Sequence, residues 1–385
     1  EHPEVDVGSL VGSDKRKVIT ATVFTRDKQE YHFFDPWRRD LQAKLEKKLP
    51  GQEVVLTSMN REEDKFIVRT HGDRSRGAFY YYDNQRDELR KLAEVSPWLD
   101  AEKLAPMEPV RIPARDGLKL PAYLTLPPGM EAKNLPVVLL VHGGPWARDA
   151  WGFDSEAQFL ANRGYAVLQV NFRGSTGYGR EFWEKSFKQW GKAMQDDLTD
   201  SVKWLVDRGI ADPRRIAIYG GSYGGYAALA GMAFTPEVYA AGISFVGPSN
   251  LFTLLASVPP YWEPYRQMQY EMIGNPETEK DLLTAASPLF SADKITSPLL
   301  IAQGANDPRV KQAESDQIVA ALQARGIDVP YIVRDNEGHG FGNEENRLYF
   351  FRAIERFLAK HLGGRAEQSD EKIPELEGTD VKAKG

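Results

Sequence analysis

Arg215-Ile216-Ala217-Ile218-Tyr219-Gly220-Gly221-Ser222-Tyr223-Gly224-Gly225-Tyr226-Ala227-Ala228-Leu229 is the stretch that decides how this chain folds. An apolar strand, Arg215 to Tyr219, runs into a glycine-rich turn and then into a helical run, Tyr226 to Phe234. Residues 220–224 fit G-x-S-x-G. Strand, turn and helix are the context in which that pattern lifts a serine hydroxyl above a sheet edge. The turn is strained, so the neighbours of the serine must be small, and the helix N-terminus below it favours negative charge. A glycine-rich turn with an incidental serine is the alternative; the flanking strand and helix argue against it.

On both sides of this stretch the texture repeats. Leu135 to Val141, Tyr165 to Val170, Ala240 to Val246, Pro298 to Gln303 and Val329 to Val333 are short apolar runs. Helical patterns separate most of them, among them Asp197 to Asp207 and Ala313 to Arg325. Strands buried on both faces and alternating with helices predict an α/β domain around a parallel sheet, here residues 106–363. Asn250 to Ile295 is too long for a simple loop and rich in aromatics, so it reads as a helical insertion. Residues 364–385 are polar and charged and are expected to form a solvated, disordered tail.

The N-terminal part reads differently. Val18 to Thr25, Gln29 to Phe34, Val54 to Met59, Lys65 to Thr70 and Ala78 to Tyr82 are β-prone runs between turn clusters. Such spacing suits sandwiches, barrels or propellers. Asp40 to Leu49 breaks the pattern, with Leu41, Leu45 and Leu49 at helical spacing. A proline-rich connector, Ser96 to Pro109, closes this β-rich segment, residues 1–105.

Composition bounds the function. The chain has 385 residues, enough for two domains, with 42% apolar and 27% charged residues. Forty-nine basic against 55 acidic side chains, net −6, provide no basic face for nucleic acid. No apolar run approaches the ~18–20 residues of a membrane span. With zero cysteines, disulfides, thiolate nucleophiles and cysteine-ligated metals are excluded, while the compartment stays open, cytoplasmic or exported. No two histidines sit at helix-turn spacing, so no metal is expected and no cofactor is implied.

A serine hydroxyl needs a base, and there are six histidines. His2, His32 and His71 fall in the β-rich part, and His361 ends the last helix. His142 precedes Ser222, whereas the α/β-hydrolase order is Ser, acid, His, which His339 obeys. Asp307 follows the strand Pro298 to Gln303, at a carboxyl end where sites form in such sheets, and would hold one imidazole tautomer. Asp335 is a rival, and an Asx-turn before Pro308 is the other use for Asp307. Val141-His142-Gly143-Gly144-Pro145 looks like the H-G-G loop that donates a backbone N–H to an oxyanion. The N–H of Tyr223 would be the second donor. Asn171 to Gly179 is a glycine-rich loop that fits no phosphate motif. Tyr223, Phe245, Val246, Phe252, Trp262 and Tyr265 are expected to wall an apolar substrate pocket.

HGGPW at 142–146, NFRGSTGYG at 171–179, GGSYGG at 220–225, GANDPRV at 304–310 and EGHGF at 337–341 together resemble the prolyl oligopeptidase family of serine peptidases, in particular its acylaminoacyl-peptidase-like branch. The resemblance spans about residues 110–362. It implies an α/β-hydrolase domain capped by a β-propeller, a triad of Ser222, Asp307 and His339, and oxyanion donors at Tyr223 and Gly144. It also implies a substrate contact at Arg309, with a surface salt bridge as the other reading. A whole propeller needs ~160–350 residues. About 100 precede the hydrolase domain here, enough for about two blades. The expectation is the C-terminal part of a longer enzyme, or a chain whose remaining blades are a separate piece; that missing propeller part or a second copy of the chain is the expected partner. The reading is a serine peptidase for short peptides, acylaminoacyl- or dipeptidyl-peptidase-like. A carboxylesterase on the same fold is the alternative.

Overall fold

In the first hundred residues, short β-prone runs between turn clusters close two antiparallel meanders. The computed structural model describes residues 2–368 and 372–377. Strands β1 (Val7–Ser13), β2 (Val18–Thr25) and β3 (Gln29–Phe33) form a three-stranded sheet; β4 (Glu53–Met59), β5 (Lys65–His71), β6 (Ala78–Asp83) and β7 (Glu88–Glu94) form a four-stranded one. The second has the up-and-down order of a propeller blade. Helix α1 (Pro36–Lys48) joins them, begun by Pro36 and capped by Asp35, which accepts from the Arg38 amide at 2.8 Å. Its Leu41 and Leu45 are buried against Val54, Phe66 and Val68.

Beyond the connector, one eight-stranded sheet carries the rest. In chain order its members are β8 (Met107–Pro113), β9 (Lys119–Thr125), β10 (Leu135–Val141), β11 (Ala166–Val170), β12 (Ala211–Gly221), β13 (Ala241–Phe245), β14 (Leu299–Gly304) and β15 (Tyr331–Arg334). Their spatial order is β15-β14-β13-β12-β10-β11-β9-β8. Strands β10 to β15 pair in parallel, as the apolar runs predict. The sheet as a whole is mixed, because β9 lies antiparallel to β11 and β8 antiparallel to β9. Pro109 and Pro113 sit in β8, the edge strand, where a missing donor costs least.

Successive side chains of the central strands feed opposite cores. Val137, Leu139 and Val141 face one layer, with α4 (Ala193–Asp207), α5 (Tyr223–Phe234) and α9 (Gln312–Gln323). Val138 and Leu140 face the other, with α2 (Ser155–Asn162) and α10 (Glu344–Leu362). A short helix, α3 (Arg180–Glu184), follows the 171–179 loop. Residues 250–295 are helical as expected, with α6 (Leu251–Ala256), α7 (Arg266–Met272), α8 (Lys280–Ala286) and 3-10 turns at Pro260–Tyr265 and Pro288–Lys294.

Within the tail the solvated expectation fails for residues 372–377. Ile373 is buried against α10, and Glu375 meets Tyr349 and Arg334. Ile373 and the partly buried Leu376, with a partnered carboxylate, dock this otherwise polar segment. Residues 369–371 and 378–385 lie outside the described residues.

Candidate active site

Ser222, Asp307 and His339 leave the sheet from three different strands and converge. Ser222 joins β12 to α5 with φ +58° and ψ −118°, a conformation that L-residues rarely adopt and that a rigid surround must hold. Its amide donates to Phe245 O of the neighbouring strand at 2.8 Å, and its carbonyl accepts from the Tyr226 amide at 3.0 Å. His339 Nε2 lies 3.0 Å from Ser222 Oγ, and Nδ1 lies 2.7 Å from Asp307 Oδ2. That is the spacing of a nucleophile–base–orienter relay.

Both uses of Asp307 weighed from the sequence occur, one on each oxygen. Oδ2 faces His339, while Oδ1 accepts the amides of Arg309 at 2.8 Å and Val310 at 3.0 Å, an Asx-turn. The rival Asp335 is exposed, and its carbonyl, not its carboxylate, is used, by Asn306. The loops of Asp307 and His339 can meet only because residue 304 is glycine. A Cβ there would sit 2.1 Å from Gly338 O. Glu337 shapes the histidine loop by accepting from the amides of Gly342 and Asn343 and from Asn346. Burial opposes ionisation of Glu337, yet these donors outweigh it and hold the carboxyl below its usual range.

His142 is held elsewhere. Its Nε2 meets Ser175 Oγ at 2.9 Å, and its ring stacks on Phe172 at 4.4 Å. Burial pushes it down to about 4, so it stays neutral. The 171–179 loop thus supports the 142–146 loop. It is itself anchored by Arg173, which pairs with Asp197 at 2.7 Å and Asp116 at 2.9 Å.

Beside Ser222 lies a cavity of about 340 Å³. Gly144 and Tyr223 line it next to the serine, where both donor positions are expected. Trp262 and Tyr265 line it as predicted, and Arg309 stands at its wall with its guanidinium 5.6 Å from the Trp262 ring centroid. That stacking replaces the surface salt bridge considered for Arg309.

Three expected wall residues are absent from the cavity. Phe245 packs against Phe341 and Phe350 on the α10 side of the sheet, at 5.0 and 4.7 Å between ring centroids. Val246 is buried at φ +46° and donates its amide to Ala302 O at 2.8 Å. β13 does neighbour β12, but the pleat turns Phe245 to the far face. Phe252 packs against Phe290. Trp146 and Trp190 take the vacated places. Trp146 follows directly on HGGP and was within reach of a motif reading. Trp190 lies in a polar stretch before α4 with no signal of its own.

A model of the prolyl oligopeptidase family matches residues 151–365. Dipeptidyl aminopeptidase BIII of Pseudoxanthomonas mexicana is 46% identical over 376 residues, covering 95% of this chain and 54% of that protein. Dipeptidyl peptidase family member 6 of Caenorhabditis elegans is 38% identical, covering 86% of this chain and 48% of that protein. Among solved structures, a puromycin-hydrolysing peptidase of Mycobacterium tuberculosis superposes with a TM-score of 0.77 at 28% identity, over 90% of this chain and 53% of that one. The chain spans about half the length of the curated relatives it matches.

Proposed function

The chain belongs to the prolyl oligopeptidase family, and from that premise we propose that it is a serine peptidase that cleaves short peptides through an acyl-enzyme on Ser222. One observation carries the reading: the 3.0 Å and 2.7 Å relay Ser222–His339–Asp307 stands at the wall of an apolar cavity. Ser222 Oγ attacks the scissile carbonyl while His339 Nε2 takes its proton. Asp307 keeps Nδ1 protonated and stabilises the imidazolium. His339 then hands the proton to the leaving amine, and water repeats the sequence in reverse. The amides of Tyr223 and Gly144 bind the oxyanion.

The cavity walls Trp146, Trp190, Trp262 and Tyr265 favour a bulky apolar side chain before the scissile bond. Some relatives at 25–27% identity are named acylamino-acid-releasing enzymes, but the names of the two nearer relatives, at 46% and 38% identity, favour release of dipeptides, and both sets favour a peptidase over the carboxylesterase alternative. The test is labelling by a fluorophosphonate, then turnover of free-amine, N-acyl and proline-containing peptide anilides against nitrophenyl esters. Labelling that persists in Ser222→Ala refutes the nucleophile. Ester turnover with no anilide turnover refutes the peptidase reading.

A further inference from the structure

Residues 142–154 connect β10 to α2 without helix or strand of their own. Gly144, assigned above as an oxyanion donor, lies in this segment, so its position depends on what the segment is tied to. Some ties reach the hydrolase domain. Thr176 N donates to Ala147 O at 2.9 Å, Asp149 N to Asn171 Oδ1 at 2.8 Å, and Trp146 Nε1 to Ser186 Oγ at 3.1 Å. Others reach the N-terminal sheet. Arg148, four residues after Gly144, donates Nη1 to Thr25 O at 2.8 Å and Nη2 to Arg26 O at 3.1 Å. Its Nε donates to Asp149 O at 3.1 Å, and its guanidinium lies 4.3 Å from the Tyr178 ring centroid.

Thr25 is the last residue of β2 and Arg26 the first of the turn that leads to β3. That turn has further ties to the hydrolase domain, one of them through Tyr123, whose OH also accepts from Arg148 Nη2 at 3.4 Å. Tyr123 OH donates to Asp27 O at 2.8 Å, Arg111 pairs with Asp27 at 2.5 Å, and Lys28 Nζ lies 3.6 Å from the ring centroid of Trp151, a residue of the same segment. The oxygens that Arg148 reaches in the N-terminal sheet are neutral carbonyls, while its charge acts on the neighbouring Asp149 carboxyl. Its planar fork fixes direction, which a lysine ammonium cannot do.

We propose that the β2–β3 turn is part of the catalytic apparatus: Arg148 is a positioning residue that clamps the Gly144 segment to the N-terminal sheet and holds the oxyanion donor in place. The inference rests on the oxyanion role given to Gly144. It makes the N-terminal β segment a support for the chemistry, in addition to whatever it does for access.

The test compares the full chain with Arg148→Met and Arg148→Lys. All rates are expressed per active site titrated with a fluorophosphonate, so unfolded protein does not count. With a peptide anilide, Arg148→Met is expected to lower kcat by about 10- to 100-fold with KM nearly unchanged, somewhat less than outright removal of an oxyanion donor. Affinity for a peptide aldehyde, which forms a tetrahedral adduct on the serine, should fall by the same factor. Affinity for the product peptide should not change. Arg148→Lys should not rescue, because an ammonium on a flexible stem lacks the planar fork that fixes the direction of both carbonyls. If Arg148→Met yields no folded protein, Lys28→Met removes the cation over Trp151 and should show the same pattern at smaller amplitude. Unchanged kcat per titrated site in the variant that folds overturns the proposal and leaves Arg148 a structural tie. If the aldehyde binds the unmutated chain no better than the product, the oxyanion reading itself has failed.

Discussion

Gly224→Ala tests whether the nucleophile turn is set by backbone contact. In a helix interior, alanine is normally favoured over glycine by about 1 kcal/mol. Gly224 is in the first turn of α5, so propensity alone predicts a more stable protein. The surroundings reverse the sign. A Cβ on residue 224 would lie 2.0 Å from Val141 O and 3.0 Å from Val141 C, both backbone atoms at the end of β10. Ordinary contact is 3.4 Å or more, so helix and strand must separate by over an ångström or shear. Overpacking of that kind costs about 1–3 kcal/mol and sometimes more, so the net change is a loss of about 2 kcal/mol at the upper end of that range. The same shift moves Ser222 and the Tyr223 amide, and misplacement of reacting groups by about 1 Å costs on the order of 100-fold in rate. Gly231→Ala in the same helix is the control. Its Cβ would meet side chains, Tyr239 at 2.8 Å and Gln195 and Ile218 at 3.2 Å, far from the serine. Urea unfolding and kcat per titrated site should show both quantities falling for Gly224→Ala and stability alone falling for Gly231→Ala. A Gly224→Ala protein with undiminished stability and kcat refutes the reasoning.

Asp307→Asn should abolish most turnover by favouring the wrong tautomer of His339, while Asp335→Asn should leave kcat within about twofold; the reverse result in steady-state assays means the acid is misassigned. Trp262→Ala should cost about 1–3 kcal/mol in kcat/KM on peptides with a bulky apolar residue before the scissile bond, and almost nothing on small acetyl esters. Equal losses on both assign Trp262 to the insertion's own packing. Burial, and next the charge of Asp154, push the Asp149 carboxyl up to about 7, and its Oδ2 is buried without a partner. A carboxyl raised in the folded state destabilises only as pH climbs from its unfolded value near 3.8 through 7. Asp149→Asn should therefore raise Tm relative to the unmutated chain at pH 8 and leave it unchanged at pH 4. A Tm gain that is no larger at pH 8 than at pH 4 shows that the carboxylate is compensated.

Six apolar runs, read as strands, became the parallel part of the sheet with ends shifted by a few residues, because a strand buried on both faces needs apolar residues at every position. Ser222 and His339 were legible because the roles proposed for them demand a particular turn and a particular chain order. Asp307 was legible as the carboxylate at the end of the next-to-last strand. Strands β1, β7, β8 and β9 were not. β7 is Glu-Leu-Arg-Lys-Leu-Ala-Glu and almost wholly exposed, so no core imprints a period on it. β8 carries two prolines that only its edge position tolerates. The cavity walls divided along the same line. Trp262 and Tyr265 were found because large aromatics in an insertion must pack on something. Phe245 was placed on the wrong face, since adjacency of β13 to β12 says nothing about which way the pleat turns a side chain. Motifs record what each loop must do at its own strand end and so survive in the sequence. Which side chains meet in the cavity, and which turn of the N-terminal sheet holds the Gly144 segment, depends on contacts between residues distant along the chain, and only the packed structure decides those.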